Sequence, residues 1–469
     1  MEIDININQY DNLYFIGAGG IGMAALERYF LMNGKKIAGH DRQLSNLTED
    51  LISEGVELVY EDDPAYIPDY CSNPDNTLVV ITAAIKEEDH CELRDYFRKH
   101  GFRIVKRAKL LGVVTAHSKA LCFSGTHGKT TTTSMAAHIM EVSRVGSNAF
   151  VGGEMKNYNT NCLLSETSPY SVVEADEYDR SFHQLHPYVA VVTSTDHDHG
   201  DIYEHEEDYL EAFARFTELI HPEGTLIVHT GLKLKPRPQE GVKVYTYGRN
   251  DGDFHATNIC RQGFKITFDF KTPWETIPNI NLGVPVDINI ENAIAAMAAC
   301  RVVGISNDVL RKAISSFEGT KRRFDFWIKP DDGDGRVMVD DYDHHPDELK
   351  ASINSIRDLF PDRKLTVIFQ PHLYTRTRDC ASGFATSLSL ADEVVLLPIY
   401  PAREAPILGV NSEMIFSKIN CSKKMCISPK EYLIESVDFS NFDVLLTAGA
   451  GDINTLLSQI CDKHKQAKR

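Results

Sequence analysis

Short apolar runs recur along the chain, each closed by glycine or acidic residues and followed by a longer stretch of helical periodicity. Residues 13–16 form the first such run. It enters Gly17-Ala18-Gly19-Gly20-Ile21-Gly22, and a helix is expected from there to about Met32. Strands are expected at 36–39, ending at Asp41, and at 77–82 and 102–105. A second block has strands at 120–124, 171–174, 189–194 and 226–229, with helices at 291–303 and 306–317. A third has strands at 337–342, 365–370, 393–400, 425–427 and 444–447. Strands alternating with helices imply parallel sheets covered on both faces.

Residues 240–285 break this rhythm. Val244-Tyr245-Thr246-Tyr247 and residues 265–270 alternate over short spans between turn residues, which predicts a small antiparallel addition. The polar tail 462–469 is expected to fray. The fold class that follows is α/β in three domains. A Rossmann-like domain spans 1–116, and a central P-loop ATPase-type α/β domain with the antiparallel addition spans 117–320. A Rossmann-like C-terminal domain spans 321–469.

Composition narrows the function. With 469 residues, 42% hydrophobic and 25% charged, the chain supports several buried cores. A formal net charge of -18 argues against nucleic acid as a partner. Ten cysteines without a Cys-x-x-Cys pair fit neither a zinc ribbon nor a disulfide framework, and suit a reducing cytoplasm. No apolar run reaches membrane-spanning length, so no membrane partner is expected, and a monomer or weak homodimer is.

The most specific local signal is Gly125-Thr126-His127-Gly128-Lys129-Thr130-Thr131 between a strand and a helix. Glycines allow close backbone approach to phosphate, and the helix start supplies free N–H groups. Lys129 adds charge, and the Thr130 hydroxyl suits Mg²⁺. The general pattern has a further glycine where this chain has Phe123. Gly17, Gly19 and Gly22 fit a diphosphate-binding turn, and Asp41 stands about twenty residues on, where an acid would meet a ribose. That turn alone would equally describe a nicotinamide-dependent dehydrogenase, which leaves Lys129 without a task.

Acidic and histidine clusters follow other apolar runs. Glu174-Ala175-Asp176-Glu177 ends a strand beside the phosphate loop and offers hard oxygen ligands. The segment from Asp196 to Asp201 contains His197 and His199. It lacks the further histidine of a zinc hydrolase, so one histidine helping to hold a phosphate-bound Mg²⁺ is the simpler reading. Asp340-Asp341-Tyr342-Asp343-His344-His345-Pro346 and Phe369-Gln370-Pro371-His372-Leu373-Tyr374-Thr375-Arg376 end two strands that follow one another, which predicts convergence in one cleft.

Taken in order, these segments and Arg322-Arg323-Phe324-Asp325 resemble the Mur ligases of peptidoglycan synthesis, over residues 13–453. The resemblance implies ATP-driven joining of L-alanine to the carboxylate of UDP-N-acetylmuramate through an acyl phosphate. The recycling branch, which joins a preformed peptide to the same UDP-sugar, is the nearest alternative. By resemblance Lys129, Glu174 and His199 are catalytic, and Thr130, Glu174 and His199 hold Mg²⁺. ATP falls to Gly125, Thr126, His127, Gly128, Lys129, Thr130, Thr131, Asn292, Arg323 and Asp341. The UDP-sugar falls to Gly17, Gly19, Gly20, Gly22, Asp41 and Thr82, and the amino acid to Tyr342, His344, His372 and Arg376. Gly200, Asp343 and Leu373 depart from the family pattern.

Overall fold

The computed structural model describes residues 5–198, 202–330, 335–402 and 404–466. They divide into two compact units. One runs to Cys260 and includes Thr267–Val284 and Asn289–Glu318. The other comprises Arg261–Ile266, Pro285–Ile288 and the chain from Gly319.

The first unit holds two large sheets. Strands β1 (Asn12–Ile16), β2 (Lys36–His40), β3 (Glu57–Val59), β4 (Thr77–Ile81) and β5 (Arg103–Lys106) pair in the order β3-β2-β1-β4-β5. All are parallel. Every residue of β1 and of β4 is buried, as a central strand covered on both faces requires. The winding reverses between β1 and β4, so their carboxyl ends open a crevice carrying Gly17 and Thr82.

The second sheet contains β6 (Lys119–Ser124), β7 (Asn148–Met155), β8 (Thr160–Leu163), β9 (Tyr170–Glu174), β10 (Pro187–Val192), β11 (Thr225–His229) and β12 (Lys243–Tyr247), in the order β12-β11-β10-β6-β9-β7-β8. Only β7 and β8 run antiparallel. Residues 244–247 therefore correct the reading of an antiparallel addition, because β12 pairs in parallel with β11, Thr225 opposite Lys243. An edge strand with one wet face alternates in the same way whichever direction its neighbour runs. The small sheet is β13 (His255–Arg261), β14 (Ile266–Lys271) and β15 (Thr276–Asn281), and β14 and β15 are antiparallel.

Helix Ile21–Met32 joins the two large sheets. Its residues Ala24, Leu26 and Phe30 share one buried cluster with Phe150, Phe182 and Phe213. Asn161 Nδ2 donates to Ile21 O at 2.8 Å, and the rings of Tyr29 and Phe150 lie 5.7 Å apart. The glycine turn ahead of this helix is thus held to the sheet that carries the phosphate loop.

The second unit is built on β16 (Asp325–Ile328), β17 (Val337–Asp341), β18 (Leu365–Phe369), β19 (Glu393–Leu396), β20 (Lys423–Cys426) and β21 (Val444–Ala448), in the order β16-β17-β21-β18-β19-β20. All pair in parallel except β16 with β17. β17 and β18 follow one another in the chain but are not neighbours, since β21 lies between them. The polar tail is helical to Gln466 rather than frayed. Leu457, Ile460, Cys461 and His464 recur at helical spacing and are all buried, which ties its inner face down.

Candidate functional site

The phosphate loop starts where β6 ends, between β9 and β10. Gly125 has φ 137°, and a Cβ there would stand 2.1 Å from Thr193 Oγ1. Gly128 has φ 79°, and a Cβ there would stand 2.8 Å from Asn292 Oδ1. Both positions exclude a side chain twice over, by backbone region and by space. Thr126 N donates to Ser194 O at 3.3 Å, and His127 N donates to Ser194 Oγ at 2.8 Å. Ser194, beyond β10, had no assigned role in the sequence.

Helix Lys129–Val142 begins at the loop, so the first-turn N–H groups point to where phosphate would sit. Thr130 Oγ1 donates to Glu174 Oε1 at 2.9 Å, and Gly152 N donates to Glu174 Oε2 at 2.8 Å. A hydroxyl and a carboxylate side by side are the hard oxygen donors that Mg²⁺ prefers. Thr131 is half-buried on the next position of the helix. Lys129 Nζ donates to Gly125 O at 2.6 Å and to Glu177 Oε1 at 2.9 Å. Burial pushes the lysine down, but Glu177, Asp176 and Glu174 outweigh it and its pKa is raised.

Asn292 abuts this loop from helix Ile288–Val302. Its Oδ1 accepts from Thr132 Oγ1 at 3.2 Å, and its Nδ2 donates to Asn289 Oδ1 at 3.1 Å. Asn289 is a partner missed in the sequence, although the Asn-x-x-Asn spacing puts both on one helix face. His199 and Gly200 lie outside the described residues.

In the N-terminal crevice, Gly17 has φ 86° and its N–H donates to His40 O at 2.8 Å. A Cβ on Gly17 would meet Thr82 Cγ2 at 2.5 Å, so the two expected ligand-binding residues adjoin. Gly19 N donates to Asp41 Oδ2 at 2.7 Å, which makes Asp41 a brace of the loop. Gly20 caps helix Ile21–Met32, and a Cβ on Gly22 would lie 3.0 Å from Arg107 Nη1. Arg107 is thus a cation beside the glycine turn that sequence reading missed. A cavity of about 540 Å³ beyond Thr82 is lined in part by Lys86, Arg94, Arg98 and Lys106.

In the second unit, Arg322 and Arg323 lie over the Tyr342 ring, at 4.8 and 5.1 Å from its centroid. Arg322 Nη1 donates to Gly451 O at 3.0 Å, and Nη2 donates to Gly449 O. The end of β21, between β17 and β18, therefore holds Arg322, a contact the sequence reading did not include. Three aspartates crowd the end of β17. Thr447 Oγ1 donates to Asp340 Oδ1 at 2.7 Å, and burial raises Asp340 to about 7. Ser352 Oγ donates to Asp341 Oδ2 at 2.8 Å, and burial raises Asp341 to about 6. Burial, with Asp341 and Glu348 close by, holds Asp343 well above the usual carboxylate range.

The expected amino-acid residues gather here. The rings of His344 and His372 are 6.3 Å apart, and His372 stacks on Tyr400 at 6.0 Å. His344 Nδ1 lies 3.0 Å from Tyr342 O, and burial lowers its pKa. Arg376 sits in the first turn of helix Tyr374–Leu388, where the helix dipole disfavours a cation. Its side chain forms no hydrogen bond or ion pair among the described residues. An arginine so placed is suited to grip a carboxylate.

Three family models match in succession. The Mur ligase family catalytic domain covers residues 12–119, the Mur ligase middle domain 123–300, and the Mur ligase glutamate ligase domain 322–451. The UDP-N-acetylmuramate–L-alanine ligase of Phocaeicola vulgatus is 52% identical over 97% of this chain and 99% of its own. That of Parabacteroides distasonis is 52% identical over 97% and 98%. The crystal structure of the UDP-N-acetylmuramate-alanine ligase from Thermotoga maritima superposes with a TM-score of 0.80 at 24% identity, over 97% of this chain and 99% of that one, and establishes the shared fold.

Proposed function

This chain belongs to the Mur ligase family, and we propose that it is the member that joins L-alanine to UDP-N-acetylmuramate at the expense of ATP. The observation that carries this reading is the 52% identity to an alanine-adding ligase across 97% of the chain.

A carboxylate resists attack by an amine, so the reaction passes through an acyl phosphate. The γ-phosphoryl group moves from ATP to a carboxylate oxygen, releasing ADP. The alanine nitrogen then attacks the carbonyl carbon, the C–O bond to phosphate breaks, and the nitrogen loses a proton. Phosphoryl transfer is mostly a matter of positioning and charge. Gly125, Thr126, His127 and Gly128 are assigned to wrap the phosphates, Lys129 to neutralise them, and Thr131, Asn292, Arg323 and Asp341 to hold the rest of the nucleotide. Thr130 and Glu174 fit Mg²⁺ because their oxygens already lie 2.9 Å apart at the loop, and His199 is assigned with them. When bound, Mg²⁺ would offset charge on the transferring phosphoryl group.

The diphosphate of the UDP-sugar is assigned to Gly17, Gly19, Gly20, Gly22 and Thr82, supported by the open crevice at the reversal of the sheet. Asp41 is assigned to the same substrate, on condition that it exchanges its bond to Gly19. Tyr342, His344, His372 and Arg376 are assigned to L-alanine. The division of labour is residues 1–116 for the UDP-sugar, 117–320 for ATP and 321–469 for amino acid and nucleotide. No helix of the described chain is long and apolar enough to cross a membrane.

The test is Mg²⁺-dependent ADP release with UDP-N-acetylmuramate and L-alanine, glycine, L-serine or the recycling tripeptide in parallel. Release is expected only with both UDP-sugar and a small amino acid, L-alanine best. Turnover with the tripeptide alone would remove the alanine assignment.

A further inference from the structure

Lys129 has a full set of acceptors within the protein. Its Nζ donates to Gly125 O at 2.6 Å, Glu177 Oε1 at 2.9 Å and Thr126 O at 3.4 Å. An ammonium has three hydrogens, so this set uses them all. The Glu177 side chain is fully buried, and that of Lys129 is 14% exposed.

Glu177 is itself held from two sides. Tyr203 OH donates to Glu177 O at 2.6 Å, and Tyr209 OH donates to Oε1 at 3.4 Å. Tyr209 OH also lies 2.9 Å from Thr126 Oγ1, and that threonine donates to Asp196 O at 2.7 Å. Both tyrosine side chains are buried. Tyr203 therefore pins the backbone of Glu177, and the carboxylate lies beside the loop between Lys129 and Tyr209.

We propose that Glu177 is a positioning residue that competes with the nucleotide phosphates for Lys129. This inference rests on the reading of Gly125–Thr130 as an ATP loop. Arriving phosphates must take at least one hydrogen of the ammonium from an acceptor it already has. Glu177 is the charged one of the three, and its own charge opposes theirs in surroundings that screen poorly. Binding is then an exchange of one anion for another at Lys129, and nucleotide affinity is lower than the loop alone would give. After transfer the same carboxylate takes the ammonium back, which favours release of ADP. A competitor of this kind raises KM for ATP without adding to kcat.

Glutamine at 177 keeps an acceptor at the same reach and removes the charge. Calorimetric binding of Mg·ATP and Mg·ADP to the full chain, with kcat and KM measured separately, tests the proposal. Glu177→Gln should bind both nucleotides on the order of tenfold more tightly, the scale of one charged hydrogen bond. KM for ATP should fall with no gain in kcat. Glu177→Asp, which retains the charge but withdraws it by one methylene, should bind with an affinity between those of wild type and Glu177→Gln. Should Glu177→Gln fail to fold, Tyr209→Phe removes a brace of the carboxylate and should move affinity the same way by roughly twofold to tenfold.

Equal or weaker nucleotide binding by Glu177→Gln, with an unchanged melting temperature, would overturn the competition. So would unchanged binding by a folded Tyr209→Phe where Glu177→Gln does not fold. Wild-type protein that binds no Mg·ATP would overturn the ATP reading itself, and is told apart by the wild-type titration alone.

Discussion

The Thr130 hydroxyl donates a 2.9 Å hydrogen bond to the Glu174 carboxylate, joining the start of the loop helix to the end of β9. Glu174 is held from the other side by the Gly152 N–H, so both of its oxygens are fixed in direction. Glu174→Gln keeps hydrogen bonds to both neighbours feasible and removes the only negative charge of the pair. The expected outcome is a loss of Mg²⁺ affinity of at least about 10–100-fold, the range for weaker perturbations of metal sites. Titrating ADP release against Mg²⁺ concentration checks it. An unchanged half-saturation point would exclude Glu174 as a ligand.

Gly128 carries two constraints that a single methyl group would violate. Its φ of 79° lies in the left-handed region, and a Cβ would come within 2.8 Å of Asn292 Oδ1. Gly128→Ala should cost about 1–3 kcal/mol of stability from backbone strain alone. It should also push Asn292 from its bond with Thr132 and weaken ATP binding. Thermal unfolding and nucleotide titration read the two effects separately, and a variant with normal stability and affinity would show that the loop relaxes freely.

The legible parts of this chain were those written locally. The turn at Gly125–Thr130 and the crevice turn at Gly17–Gly22 announce themselves because close backbone approach needs glycine at fixed spacing. Even Phe123, where the general phosphate-loop pattern has another glycine, is accounted for as a fully buried residue of β6. Contacts between distant segments left no comparable mark. Glu177 meets Lys129 across a sequence separation of 48 residues, which no hydrophobic pattern encodes. The place of β21 between β17 and β18 depends on the order of crossovers, so the contribution of Gly449 and Gly451 to the Arg322 site was not visible. Val244–Tyr247 misled for a related reason, since alternation reports which face is wet and not which way the partner strand runs.

Asp340 makes stability depend on pH in a definite direction. Its folded-state pKa is raised from 3.8 to about 7, chiefly by burial, with Arg322 Nε 3.5 Å away and Asp341 and Asp325 nearby. The folded state therefore binds more protons than the unfolded state between those values. Stability from this group is fully present below pH 3.8 and is lost as pH rises through about 7. Asp340→Asn removes the titration while leaving an acceptor for Thr447. Urea midpoints at pH 5 and pH 8 should show wild type losing more stability over that interval than the variant. Parallel losses in the two proteins would mean that Asp340 does not hold its proton.

Arg376 is expected to act on the amino acid and not on the phosphoryl transfer that precedes it. It stands near His344, in a helix first turn that disfavours its charge, without an ion pair among the described residues. A bound carboxylate would compensate that charge through a paired hydrogen bond. Arg376→Ala should raise KM for L-alanine roughly 10–150-fold, equivalent to ~1.5–3 kcal/mol for hydrogen bonding between charged groups. Arg376→Lys should recover part of the loss, because a lysine restores the charge but not the planar fork. Hydroxylamine separates the two half-reactions, since it intercepts an acyl phosphate and needs no carboxylate pocket. Hydroxamate formation from UDP-N-acetylmuramate and ATP should proceed in Arg376→Ala at close to the wild-type rate. If it falls together with alanine turnover, Arg376 belongs to the nucleotide or UDP-sugar side of the reaction and its assignment to the amino acid is wrong.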